Sequence, residues 1–241
     1  MRVVEKQLRD EVINRCIEFL DVVINFILYI EQIYSNGLIN KLIYLLYLIF
    51  FLVFFVSYTD IFEKRLKYNL IVYECHDTEI QNYISDFLNQ VKPLLRKQII
   101  DQIGFVITTN NENEILRRYI IELHPIIDHS SNTIHSNGNH LLAELDSIFS
   151  ACFIELMRQI PISPLTISTE NDDDDDDDND QVRWKLQMRL CHHENNKFEV
   201  EETFYEQFKL IDNCLLSLKQ IKSVHSQRLN IQIMCQDKKT T

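Results

Sequence analysis

The sequence predicts an α+β domain, with helices packed on one antiparallel sheet. Three observations carry this. Gly (3) and Pro (4) are scarce over 241 residues, which disfavours a turn-rich all-β sandwich or barrel. Some stretches repeat apolar residues every three or four positions, as helices do, and others alternate every second residue, as half-buried strands do. A hydrophobic fraction of 46% with 10% aromatics is enough for a packed core and excludes global disorder.

The first element is a long helix over roughly residues 5 to 35. Leu8, Val12, Cys16, Leu20, Ile24 and Ile27 share one face, and Val22, Val23, Phe26 and Ile30 make its later half apolar nearly all round. Such a helix is wrapped by other elements. Ser35-Asn36-Gly37 reads as its stop, with Gly37 suited to a left-handed cap. Residues 68–74 read as a strand. Asp77 is a candidate N-cap for a helix reaching about Lys97, whose buried face is Ile80, Ile84, Phe87, Leu88, Val91 and Leu95. Residues 99–109 and 115–123 read as a hairpin joined by the polar stretch 110–114. A third helix runs from about His140 to Gln159, with Pro161 as its stop. Strand 182–190 follows, where Trp184, Leu186, Met188 and Leu190 alternate with Arg183, Lys185, Gln187 and Arg189, one face buried and one cationic. The last fifty or so residues are apolar but poorly periodic and end in a strand over 229–235.

Charge bounds the function. Lys and Arg number 24 against 36 Asp and Glu, a net charge of −12, which argues against a broad phosphate-gripping face. Asp172 to Asp178 and Asp180 form one tract; self-repulsion predicts a solvated acidic loop at 171–180. The six cysteines show no CxxC spacing and read as reduced core thiols. The opening MRVVEKQLRDE is too charged for a signal peptide.

Searches for chemistry return little. Glycine-rich phosphate loops, HExxH and GxSxG are absent. His124, His129, His135 and His140 recur across a polar loop, and Cys191-His192-His193 are adjacent, but no spacing fixes a metal geometry. Glu63-Lys64-Arg65-Leu66-Lys67 reads as a solvated approach to a strand. Catalytic residues, metal and cofactor are not expected.

Several blocks carry a family likeness. They are residues 17–22 (IEFLDV), 27–34 (ILYIEQIY), 61–70 (IFEKRLKYNL), Tyr83-Ile84, 91–95 (VKPLL), 215–219 (LLSLK) and 229–233 (LNIQI). Together they resemble the HORMA domain, and within it the branch that serves as non-catalytic accessory subunit of translesion DNA polymerase zeta. The resemblance implies a single domain over 1–241. Residues 1–37 would be the central helix, 61–190 the sheet and other helices, and 191–241 a mobile safety belt. The belt of such proteins closes over an extended partner peptide that adds to the sheet edge.

The likeness also implies particular contacts. The trapped peptide would be a proline-containing segment of the polymerase zeta catalytic subunit. Tyr83 matches the aromatic lining its pocket, and Phe204 or Tyr205 stands where the belt of the family carries Trp. Leu215, Gln232 and Met234 match a docking face for a scaffold polymerase of the same pathway, Met234 replacing an aromatic. Ser150 stands where an Arg supports dimerisation, so the same homodimer is not expected. A nuclear and cytoplasmic location follows from the resemblance, as does work in the DNA damage response and cell-cycle control. A spindle-checkpoint HORMA protein is the alternative within the family.

Residues 38–60 have no counterpart in the family. Leu42 to Val56 are apolar without a break, short of the about 20 residues a bilayer span needs. A membrane anchor built on 42–56 is the alternative from another class. It would separate the first helix from the sheet it should cover, at more than the net stability of a domain. A tolerated extension of the helix or its loop, or translated non-coding sequence, remains, and a composition alien to both flanks favours the latter.

Overall fold

The computed structural model describes residues 2–31, 33, 61–109, 115–125, 138–159, 183–190, 216–225 and 229–238. The expectations placed on Gly37, 38–60, 110–114, His129, His135, Pro161, 171–180, Cys191 to His193, Phe204, Tyr205, Cys214 and Leu215 lie outside them. In chain order the elements are α1 (Arg2–Ile30), β1 (Phe62–Lys67), β2 (Leu70–Cys75), α2 (Thr78–Arg96), β3 (Ile100–Thr108), β4 (Ile115–Pro125), α3 (Gly138–Gln159), β5 (Arg183–Leu190), β6 (Leu216–His225) and β7 (Leu229–Lys238). The class is α+β, as the periodicities predict. No described helix is long and apolar enough to cross a membrane.

Helix α1 is the hub. Ile13, Cys16, Phe19, Leu20, Val23, Ile24, Ile27 and Leu28 are fully buried, and α1 touches α2, α3, β2 and β4. The all-round apolar character of its second half is thus explained by neighbours on every side. Phe19 stacks on Phe149 of α3 with centroids 4.5 Å apart, and Phe26 meets Phe153 at 4.7 Å. The helix ends at Ile30 rather than 35: Glu31 closes the last turn through its amide to the Ile27 carbonyl.

Helix α2 begins where Asp77 accepts from the amides of Glu79 and Ile80. It ends in a Schellman motif, with the Gln98 amide on the Leu95 carbonyl and the Ile99 amide on Leu94. The left-handed position is Gln98 (φ 57) rather than Gly, and its side chain is held by the Pro125 carbonyl at 2.9 Å. A tertiary hydrogen bond thereby replaces the usual glycine.

Two strands escaped the sequence reading. Segment 62–67 is β1 rather than an approach: it pairs with β2 around Tyr68 and Asn69, both at positive φ (51 and 59). This is a tight turn built without the Asn-Gly that usually signals one. Residues 216–225, inside the aperiodic tail, form β6, which pairs with β7. The single sheet expected is therefore two: β1–β2, and five antiparallel strands in the order β5-β3-β4-β7-β6. In β5 Leu186 and Met188 are buried as predicted, but Gln187 is only 4% exposed, so the opposite face is not wholly solvated.

The described cysteines, 16, 75, 152 and 235, are free and buried. Burial pushes the Cys16 and Cys235 thiols up to about 12 and Cys152 to about 11, so they pack as small apolar groups rather than as nucleophiles.

Asp21 adds a pH dependence. Burial, then the charges of Glu74 and Glu18, raise its carboxyl to about 6 against the opposing Lys67. The folded state then holds a proton that the unfolded chain has lost between about pH 4 and 6. This contribution is complete below pH 4 and disappears as pH rises through 6. Asp21→Asn should flatten that slope and stabilise the chain at pH 7 by about 1–2 kcal/mol. Urea unfolding across pH 4 to 8 checks it; an unaltered slope would remove Asp21 as the cause.

Candidate partner-binding edge

The five-stranded sheet has two different ends. At one end the hairpin β6–β7 (216–225 and 229–238) lies along β4, from Arg117 opposite Asp237 to Pro125 opposite Leu229. At the other end β5 pairs only with β3 among the described residues. The chain leaves β5 at Leu190 and re-enters the sheet at Leu216, on the far edge.

The outer margin of β5 carries an aromatic group. Tyr83, on the exposed side of α2, is 43% exposed. Its ring and that of Trp184 form a T-shaped pair with centroids 5.2 Å apart, and Trp184 in turn stacks on Phe105 of β3 at 5.2 Å and 6°. The Tyr83 hydroxyl accepts a hydrogen bond from the Leu186 amide at 3.1 Å. Leu186 lies opposite Phe105 in the ladder. Its amide nevertheless goes outward to Tyr83, so the alternation of an antiparallel pair puts the backbone groups of Trp184, Leu186 and Met188 on the outer margin. Arg189 is held by Asp101, Nη2 to Oδ2, at 2.5 Å.

The C-terminal hairpin is tied to α1 through a buried charge cluster. Glu31, whose side chain is 1% exposed, accepts from Arg117 Nη1 with both oxygens, at 2.7 and 3.0 Å. Arg117 Nε donates to Asp237 of β7 at 2.5 Å. The Tyr119 hydroxyl donates to Glu31. Burial pushes the Arg117 guanidinium down, but the hydrogen bond and charge of Glu31 more than reverse this. Burial first and the Glu31 charge second hold Tyr119 well above the ordinary phenol range. Arg117 remains cationic and Tyr119 neutral at any ordinary pH.

Of the residues the resemblance singles out, Tyr83 stands beside β5, which pairs only with β3 among the described residues. Gln232 and Met234 sit at the opposite end, on one face of β7, the Gln232 amide 3.5 Å from the Met234 sulfur. Gln232 is half-buried and Met234 only 6% exposed, so Met234 has little surface to offer a partner. Phe204, Tyr205 and Leu215 are not among the described residues, so their grouping with Tyr83 or with the hairpin stays an expectation. Ser150 lies half-buried on α3. Sequence reasoning treated Trp184 only as strand core and passed over Glu31, Arg117 and Asp237. A Glu at the end of an apolar helix and an Arg opening a strand are common solvated residues; only the ladder register brings them together. Among the described residues no group of His, Cys, Asp and Glu could hold a metal.

No protein-family model matches the chain. The mitotic spindle assembly checkpoint protein MAD2B of Danio rerio is 33% identical over 138 residues, 56% of this chain and 54% of that protein. MAD2B of Homo sapiens is 29% identical over 153 residues, 62% of this chain and 61% of that protein. The matched region thus spans less than two thirds of these relatives. Among solved structures, a chain of the mitotic checkpoint complex superposes with TM-score 0.63 at 14% identity, over 95% of this chain and 99% of that one. C. elegans HTP-2, solved bound to the HIM-3 closure motif, gives TM-score 0.58 at 11% identity, over 96% and 92%. At such identities the structures speak for the fold, and the MAD2B relatives speak for the sequence. The chain has the HORMA fold, and its sequence places it beside the MAD2B proteins.

Proposed function

We propose that this protein is a peptide-binding adaptor that takes an extended segment of a partner along the outer margin of β5. The observation that carries the reading is the asymmetry of the sheet: the C-terminal hairpin occupies the far edge, whereas among the described residues β5 pairs only with β3 and has the aromatic pair Tyr83 and Trp184 at its margin. An added strand would pair along that margin and seat alternate side chains against Tyr83 and Trp184. The placement of Leu190 and Leu216 on opposite edges of the sheet supports a safety belt over 191–241, closed across the partner and slowing its release. That HTP-2 was solved with a closure motif supports the same mode.

The partner we favour is a proline-containing segment of the polymerase zeta catalytic subunit, with a scaffold translesion polymerase docking on the hairpin around Leu215, Gln232 and Met234. This is the role of an accessory subunit in translesion synthesis and the DNA damage response, in nucleus and cytoplasm, and it needs no catalytic residue or cofactor. A spindle-checkpoint role is the second reading, favoured by the checkpoint name the relatives carry.

The test is titration of the full chain with a synthetic peptide of that polymerase segment. Binding should be measurable, and Tyr83→Ala should weaken it by about 2 kcal/mol, roughly thirtyfold, as for a pocket anchor, with the fold intact. An unchanged affinity would take Tyr83 out of the site, and no binding to the wild-type chain would remove this partner.

A further inference from the structure

The small sheet β1–β2 has two margins, and the molecule treats them differently. The His76 amide donates to the Ile61 carbonyl at 2.7 Å, which sets the phase of the ladder. Glu63 with Glu74, Arg65 with Val72 and Lys67 with Leu70 are then the hydrogen-bonded pairs. The backbone groups of Phe62, Lys64 and Leu66 point away from β2, and those of Ile71, Tyr73 and Cys75 point away from β1. On the β2 side the body of the protein takes up the end of the row: the Cys75 amide donates to Asn25 Oδ1 at 3.0 Å, and the Cys75 carbonyl accepts from Gln81 Nε2 at 2.6 Å. On the β1 side nothing pairs with the outward groups of Phe62, Lys64 and Leu66 among the described residues.

An apolar pair and a cation lie beside this margin. Leu66 and Ile71 oppose each other across the ladder in the closer, non-hydrogen-bonded kind of pair, and are 72% and 59% exposed. Lys64 stands two residues from Leu66 and so on the same face. The other cations of β1 are engaged, Arg65 with Glu63 and Glu74, and Lys67 with Glu18. Lys64 is exposed and makes no ion pair among the described residues. We propose that the outer margin of β1 takes an extended acidic segment of a partner protein as an added strand, with a carboxylate beside Lys64 and an apolar side chain beside Leu66. A second copy of this chain does not fit. Antiparallel pairing of β1 with itself through its outward groups sets, in the longest registers, each Lys64 opposite the other Lys64 or each Arg65 opposite the other Arg65, and like charges directly opposed repel. An acidic segment turns the same charge into attraction. The proposal does not depend on β5.

Amide hydrogen exchange tests it, read by NMR on the isotope-labelled full chain. The chain is measured alone and with two synthetic peptides in turn, one alternating valine with glutamate and the other valine with lysine. Alone, the Lys64 and Leu66 amides should exchange faster than those of Arg65 and Val72. The glutamate peptide should slow Lys64 and Leu66 by about tenfold or more. The lysine peptide should bind about twofold to fivefold more weakly, and Lys64→Glu, at an exposed position that leaves the fold intact, should reverse that preference. Leu66→Ser should weaken the glutamate peptide by about threefold or more. Slow exchange of Lys64 and Leu66 in the chain alone overturns the proposal, because the margin is then already covered. So does a glutamate peptide that leaves these two amides unchanged or protects only β5. Equal binding of the two peptides, or a Leu66→Ser chain that binds as well as the wild type, overturns the acidic and apolar partner chemistry.

Discussion

Replacing Arg117 by alanine should lower the unfolding free energy by about 3–5 kcal/mol. The cost does not come from the salt bridge as such, since forming a buried pair roughly balances desolvation against attraction. It comes from what is left behind. Glu31, with its side chain 1% exposed, would keep only the Tyr119 hydroxyl, and its charge would lie in a low-dielectric interior without a cation. The loss would also be communicated to the C-terminal hairpin, because the same guanidinium donates to Asp237. Asp237→Asn separates the two effects. Asp237 is 42% exposed, so releasing this arm alone should cost about 1 kcal/mol or less. Urea unfolding of both variants decides the matter; a loss under 1 kcal/mol for Arg117→Ala would mean that Glu31 finds another partner or water, and that the cluster does not hold the hairpin to α1.

Phe19→Ala should cost a similar amount, about 3–5 kcal/mol, for an unrelated reason. Phe19 is fully buried on α1, stacks on Phe149 of α3 and lies 6.4 Å from the ring of Tyr68 at the β1–β2 turn. Three elements converge on one ring, so none of them can close the space that alanine leaves without giving up its other contacts. Ile154→Ala is the comparison: Ile154 is 50% exposed on α3 and should change stability by no more than about 0.5 kcal/mol. If thermal and urea unfolding show the two variants equally stable, α1 is not the hub that its burial describes.

These two residues show how differently parts of the molecule could be read in advance. Phe19 lies in a helix whose apolar positions step by three and four, and such a pattern survives any packing arrangement. The face of α2 from Ile80 to Leu95 was legible for the same reason, as was its Asp77 cap. Strand β5 was legible from alternation. Strand β1 was not, because its turn uses Tyr68 and Asn69 where glycine would signal, and because Leu66 and Ile71 are exposed. Strand β6 was hidden in a stretch where partner strand, not periodicity, decides pairing. At the candidate site, Tyr83 was picked out by likeness to a family, whereas Trp184 looked like any strand aromatic.

Local sequence determined which stretches are helical, which alternate and which residues are apolar enough to bury, because propensity, capping and periodicity act over a few residues. It also determined that no ready-made catalytic motif is present. Only the tertiary structure decided that the C-terminal hairpin lies on β4 and not on β5, since both strands offer edges and the choice depends on contacts far apart in the chain. The same choice joins Glu31 to Arg117 and Asp237, and it leaves the Leu186 amide facing Tyr83 instead of another strand. Backbone hydrogen bonds carry no side-chain signature, so which strands of a sheet pair is settled by the whole fold.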